Sequence, residues 1–185
     1  HHWLGPGERM NATAAGRVAQ GEAAADEPAT ASAVPLGILV PGLPHPLLCP
    51  EGNAGWQRVH DGFGAARERI AASGADLLVI CSTMWPSILG HQLQANLEPE
   101  WTHVDDDFHY LGSMPYDFRM DVDFANGYAA AAVKRGLHSR TVAYDGFPID
   151  TGSVVALQLL NPDNRIPACI VSSNMYANRA ETIVL

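Results

Sequence analysis

Little in this chain of 185 residues points to an oxidising compartment, a nucleic-acid partner or a membrane. Cysteine is scarce: Cys49, Cys81 and Cys169 are odd in number, far apart and never in a CxxC pair. That excludes a disulfide framework and a structural zinc site. Cys81 and Cys169 lie in apolar runs and read as buried, reduced thiols. Positive charge is short too, with 11 Lys and Arg against 20 Asp and Glu and a formal net charge of -9. With no basic cluster anywhere, a phosphate backbone and an anionic membrane surface are both poor partners. No apolar run approaches the roughly 18 residues of a membrane span, and no signal-peptide pattern opens the chain. Glycines in a dinucleotide or phosphate-loop pattern are missing, as is a Gly-x-Ser-x-Gly elbow. Ser82, Ser153 and Ser172 therefore lack the setting of a nucleophile, and Ser153 reads as a helix cap. What remains is a cytoplasmic protein, 47% hydrophobic, of a size for one folded domain.

The chain changes texture at Pro35. Residues 1–34 read as a flexible leader: His1-His2 looks like a tag remnant, and Asn11 to Ala33 is rich in Ala, Gly, Glu and Thr. Such a stretch cannot bury enough surface to offset its ordering entropy. Residues 35–185 form an α/β domain by their pattern. Leu36–Val40 reads as a strand stopped by Pro41-Gly42, and Trp56–Ser73 as a helix closed by Gly74. Ala75–Ile80 is an apolar strand opening into Ser82-Thr83-Met84-Trp85, with a short helix expected over Pro86–Leu93. The polar, aromatic-bearing stretch Asn96–Asp121 reads as an excursion with its own small structure. A helix over Asp123–Lys134, a strand over Ser139–Tyr144, a helix over Val154–Leu160 and a strand over Ile166–Val171 follow. The run Glu181–Leu185 has neither a cap nor a closing strand after it, so the domain reads as truncated at its C-terminus.

Strands alternating with helices imply a largely parallel sheet covered on both faces, with the strand-end loops sharing one rim. That rim would carry His45, Ser82 to Trp85, Asp150-Thr151 and Ser172 to Asn174. His45 stands between two prolines, which stiffen the backbone around a ligand or acid/base group as well as around a packed loop histidine. His103 and His109 flank Asp105 to Asp107, enough residue types for a two-histidine, one-carboxylate iron site. Their spacing matches no ligand motif, and the aspartate run reads as a solvated turn.

Together, strand-Pro41-Gly42-Leu43-Pro44-His45-Pro46, strand-Ser82-Thr83-Met84-Trp85-Pro86, and Ile149-Asp150-Thr151-Gly152 followed by Leu159-Leu160-Asn161-Pro162-x3-Ile166-Pro167 resemble the class III extradiol ring-cleavage dioxygenases. These are enzymes of the protocatechuate 4,5-dioxygenase type. The resemblance spans residues 35–185. It implies an α/β fold with a mostly parallel or mixed sheet, helices on both faces, and Fe(II) at the strand ends held by two histidines and a glutamate. His45 matches the first iron histidine. Met84 stands at the place of the second, Thr151 at that of an acid/base histidine, and the glutamate would fall beyond Leu185.

A thioether is a soft, neutral ligand poorly matched to such an Fe(II) site, and a threonine hydroxyl does not exchange protons near neutral pH. The resemblance is thus to the non-catalytic α branch of enzymes of the 2-aminophenol 1,6-dioxygenase type. The implied role is an iron-free subunit paired with a catalytic, β-type homologue. Two rival readings stand beside it. One is an active Fe(II) dioxygenase using His45 with His91 or His109. The other is a degenerate pocket that binds a small aromatic molecule, with Trp85, Tyr116, Phe147 and Asn174 as candidate wall residues.

Overall fold

A computed structural model describes residues 34–184. Apart from Val34, the expected leader lies outside the described residues. The first element, α1 (His45–Leu48), is a single turn entered through Pro44. The long helix α2 (Ala54–Ser73) is capped by Asn53, whose side chain accepts the amides of Gly55 and Trp56 at 2.8 and 3.0 Å. It ends, as its sequence foretells, on Gly74 in the left-handed region. There follow β1 (Leu78–Ser87), β2 (His91–Gln94), β3 (Glu100–His103), β4 (Met114–Asp117) and α3 (Val122–Lys134). The described chain closes with β5 (Ser139–Val142), α4 (Thr151–Leu160), β6 (Ala168–Asn174) and α5 (Arg179–Val184).

The main sheet runs β1-β6-β2-β5, with β1 parallel to β6, β2 parallel to β5, and β2 antiparallel to β6. Alternation along the strands divides the core. Leu78, Ile80, Ala168 and Ile170 pack with Phe63 of α2 and Val154, Val155 and Leu157 of α4. Cys169, Val171 and Leu93 face the other way, onto Ala125 and Ala129 of α3. Helices therefore cover both faces of a mixed sheet, and each buried Leu, Ile or Phe adds on the order of 1.5–3 kcal/mol. The excursion has its own structure, an antiparallel β3–β4 pair in which Trp101 lies opposite Tyr116 and His103 opposite Met114. No helix among the described residues is long and apolar enough to cross a membrane.

Several expectations are corrected. Leu36–Val40 is not a strand: Leu39 is 99% exposed, and only Val40 reaches the core. Gly37 weakens the run and the prolines at 35 and 41 deny ladder donors at its ends. The helix expected over Pro86–Leu93 is instead the end of β1, a tight turn and β2. Gly90 decides this, with φ of 87° and no room for a β-carbon, which would sit 2.3 Å from the His138 carbonyl oxygen. Because β2 and β5 oppose β1 and β6, the strand ends do not share a single rim. Cys81 is exposed, because β1 is an edge strand that α3 leaves uncovered, whereas Cys169 is buried. Both are free thiols, and burial pushes that of Cys169 up to about 12.

Candidate functional site

The site is built where β1 meets the start of α4. Strands β1 and β6 keep register from Leu78–Ala168 to Ser82–Ser172, and the next pair is Pro86–Ser173. Thr83, Met84 and Trp85 are therefore pushed out of the ladder as a bulge, a device that re-aims side chains. The bulge is pinned at its base. Ser82 Oγ donates to Asp150 Oδ1 at 2.8 Å and accepts the Met84 amide at 3.2 Å, while Ser173 Oγ donates to the Ser82 carbonyl at 2.9 Å. Asp150 is also the cap of α4, accepting Ser153 N at 3.0 Å and Ser153 Oγ at 2.7 Å. The capping residue is thus Asp150 rather than Ser153, and the helix begins at Thr151 rather than Val154.

The Met84 side chain, 40% exposed, lays its sulfur against two neighbouring glycines. A β-carbon on Gly42 would fall 2.7 Å from the Met84 sulfur, and one on Gly152 would fall 2.9 Å from it. The thioether occupies space that glycine at both positions leaves open.

Thr151 is 5% exposed and fully engaged. Its hydroxyl donates to Asp105 Oδ2 at 2.5 Å and lies 2.7 Å from His103 Nε2. Asp105 Oδ1 closes a turn by accepting the amides of Asp107 and Phe108 at 3.0 and 2.9 Å. Burial works against a charged Asp105. The Thr151 hydroxyl, the two amides and the nearby His103 outweigh it and hold the carboxyl below the ordinary aspartate range. So the aspartate run is not simply a solvated turn: Asp106 and Asp107 are exposed, but Asp105 is buried.

His45 opens α1 with its ring stacked on Trp56 and met edge-on by Phe108, both at 4.7 Å between centroids. Its Nδ1 is buried without a partner. Trp85, in the bulge, packs on Phe147 at 5.3 Å, and Phe147 on Tyr144 at 5.2 Å. Tyr116 lies in the core, stacked on Phe118, with its hydroxyl accepting the Ile149 amide. Asn174 ends β6 and caps the following turn through the Tyr176 amide. His91 is 3% exposed on β2, and neither ring nitrogen has a partner. Burial lowers its pKa, against a smaller opposing pull from Glu181. His109 is exposed beside Tyr110. Ser172 accepts the Gln92 amide, so the three serines all serve the scaffold.

Residues 40–182 match the family profile described as the catalytic LigB subunit of aromatic ring-opening dioxygenase. The chain belongs to this LigB family. It is 34% identical over 146 residues to the 2-aminophenol 1,6-dioxygenase alpha subunit of a Pseudomonas species, covering 78% of this chain and 54% of that one. It is 25% identical over 145 residues to the beta subunit of that name from Pseudomonas, covering 75% of this chain and 48% of the other. The chain thus spans about half the length of the curated relatives it matches.

LigB enzymes in general depend on Fe(II). The side chains gathered here do not form a fitting donor set: one imidazole held among aromatic rings, one thioether, and a hydroxyl already spent on a carboxylate. Among the described residues, no group of three His, Cys, Asp or Glu side chains is placed to hold a metal ion. The sequence motifs point to His45, Met84 and Thr151 and offer Asp105 only within a run that reads as a solvated turn. The parts played by Phe108, Trp56 and the two glycines come from the structure. Gly42 and Gly152 stand inside the motifs that carry the resemblance, where the lack of a side chain at both is the available sequence signal for a close approach.

Proposed function

We propose that the chain is the iron-free, structural α-type subunit of a two-subunit extradiol dioxygenase for catechols or aminophenols. A homologous β-type subunit supplies the Fe(II) site. Residues 35–185 serve as its extradiol dioxygenase-like domain, in the cytoplasm. The observation that carries this reading is what occupies the two histidine positions. The Met84 sulfur lies against Gly42 and Gly152, and Thr151 is consumed by Asp105 and His103. A thioether is a poor Fe(II) ligand, and the Thr151 hydroxyl cannot carry a proton without giving up those contacts. Similarity to both the alpha and the beta subunit of one enzyme supports a pairing of homologues. The test is to purify the chain alone and together with a homologue that keeps both histidines, then measure iron and ring cleavage. Iron and turnover are expected only with the partner. Stoichiometric iron and turnover in the chain alone would overturn the proposal.

A second reading is favoured by one observation, the Trp85–Phe147–Tyr144 ring cluster beside the bulge. It offers stacking faces for a small aromatic molecule bound without turnover. Calorimetric titration with catechol and 2-aminophenol tests it, and an absence of heat at millimolar ligand removes it.

A further inference from the structure

We propose that Thr151 is the latch of a clamp within the chain: it holds the Asp105–Phe108 turn in place so that Phe108 presses the His45 ring onto Trp56. The inference goes beyond the subunit reading and stands on contacts inside this chain, whether or not a partner binds.

The chain of contacts is continuous. The Thr151 hydroxyl has one hydrogen, and the Asp105 carboxylate takes it at 2.5 Å. The same oxygen must then accept from His103, which places a proton on His103 Nε2. His103 ends β3 and Asp105 begins the turn beyond it, so one hydroxyl fastens the excursion at two points to the first residue of α4. The carboxylate passes the restraint on, because its other oxygen receives the amides of Asp107 and Phe108. Phe108, so fixed, meets His45 edge-on, with Trp56 stacked at an interplanar angle of 23°. Enclosed there, His45 Nδ1 is buried with no hydrogen-bond partner in the protein.

Thr151 on this account is a positioning residue with a task of its own. A histidine in its place offers no hydroxyl to bridge Asp105 and His103, and a ring has to enter a nearly sealed position.

The test compares Thr151→Ser, Thr151→Val and Phe108→Ala in the full chain. Two readouts serve: amide exchange at Asp107 and Phe108, and the ring-proton chemical shift of His45, which feels the ring currents of Trp56 and Phe108. Thr151→Ser keeps the hydroxyl and is expected to match the parent in both. Thr151→Val is expected to speed exchange at the two amides by about tenfold or more, the scale of one lost hydrogen bond. It should also shift the His45 resonance in the same direction as Phe108→Ala. Unchanged exchange and an unmoved His45 resonance in Thr151→Val overturn the latch. Should Thr151→Val fail to fold, the other two variants decide. An unmoved His45 resonance in Phe108→Ala, or a Thr151→Ser chain that loses amide protection, overturns the clamp.

Discussion

Met84 and Gly152 face each other so closely that a β-carbon on the glycine would lie 2.9 Å from the methionine sulfur. Gly42 lies next to Gly152, and a β-carbon on it would meet both the Met84 sulfur at 2.7 Å and the Cα of Gly152 at 3.0 Å. The two glycines therefore differ in what opposes them. At Gly152 the nearest obstacle is the far end of a flexible side chain, and at Gly42 it is that plus backbone. Gly42→Ala should destabilise the chain by about 1–3 kcal/mol, and Gly152→Ala by less than about 1 kcal/mol. Urea unfolding of the two variants checks the order; equal losses would show that the Gly152 backbone adds nothing to the contact both share with Met84.

Restoring one imidazole should not restore a metal site. Met84→His returns an imidazole to the second histidine position. Among the described residues, however, no group of three His, Cys, Asp or Glu side chains is placed to hold a metal ion, and Asp105 and Asp150 are engaged by Thr151, Ser82 and Ser153. The expected outcome is far less than one iron per chain after reconstitution and dialysis, read by elemental analysis. Thr151→His should cost about 2–4 kcal/mol of stability, because it overfills a buried position and takes the hydroxyl donor from Asp105 Oδ2. Denaturant melts measure that cost.

The depressed pKa of Asp105 sets a pH dependence with a definite sign. Its folded value lies below the ordinary 3.8, so the unfolded chain takes up the proton first as pH falls. The stability it contributes is complete above the unfolded value and is lost as pH drops through the folded one. Asp105→Asn should flatten the acid limb of a stability–pH curve measured by urea melts between about pH 2.5 and 6. An unchanged slope would show that Asp105 is no stronger an acid in the folded chain than in the unfolded one.

His91 acts in a different window. Burial lowers its pKa from 6.5, so the unfolded chain binds a proton below that value before the folded chain does. Stability is therefore lost as pH falls from 6.5 toward the folded pKa. Both ring nitrogens are buried and unpartnered, so His91→Phe should remove that slope and stabilise the chain by about 1 kcal/mol at pH 6. Parallel melts at pH 6 and 8 give both quantities.

The elements whose burial follows a simple period were legible in the sequence. The α2 helix shows its buried face through Phe63 and Ile70, and the strand through Leu78 and Ile80 alternates with exposed neighbours. What escaped depends on distant partners. Leu36–Val40 has strand composition, but a strand requires a ladder, and none forms. Pro86–Leu93 looks helical until Gly90 is seen pressed against His138. In the site, His45, Met84 and Thr151 were found by motif. Asp105 was hidden in a run of aspartates, because the hydroxyl that engages it belongs to a threonine 46 positions away. No local pattern encodes that contact.

The bulge at Thr83–Trp85 has a consequence for how such a chain can change over generations. Those residues take no part in the β1–β6 pairing, which resumes at Pro86 on the next residue of β6. A substitution at position 84 therefore leaves every rung of the ladder where it was. Architecture and chemistry are inherited through separate residues, so a ligand can be exchanged for a packing group in one step while the sheet is handed down intact.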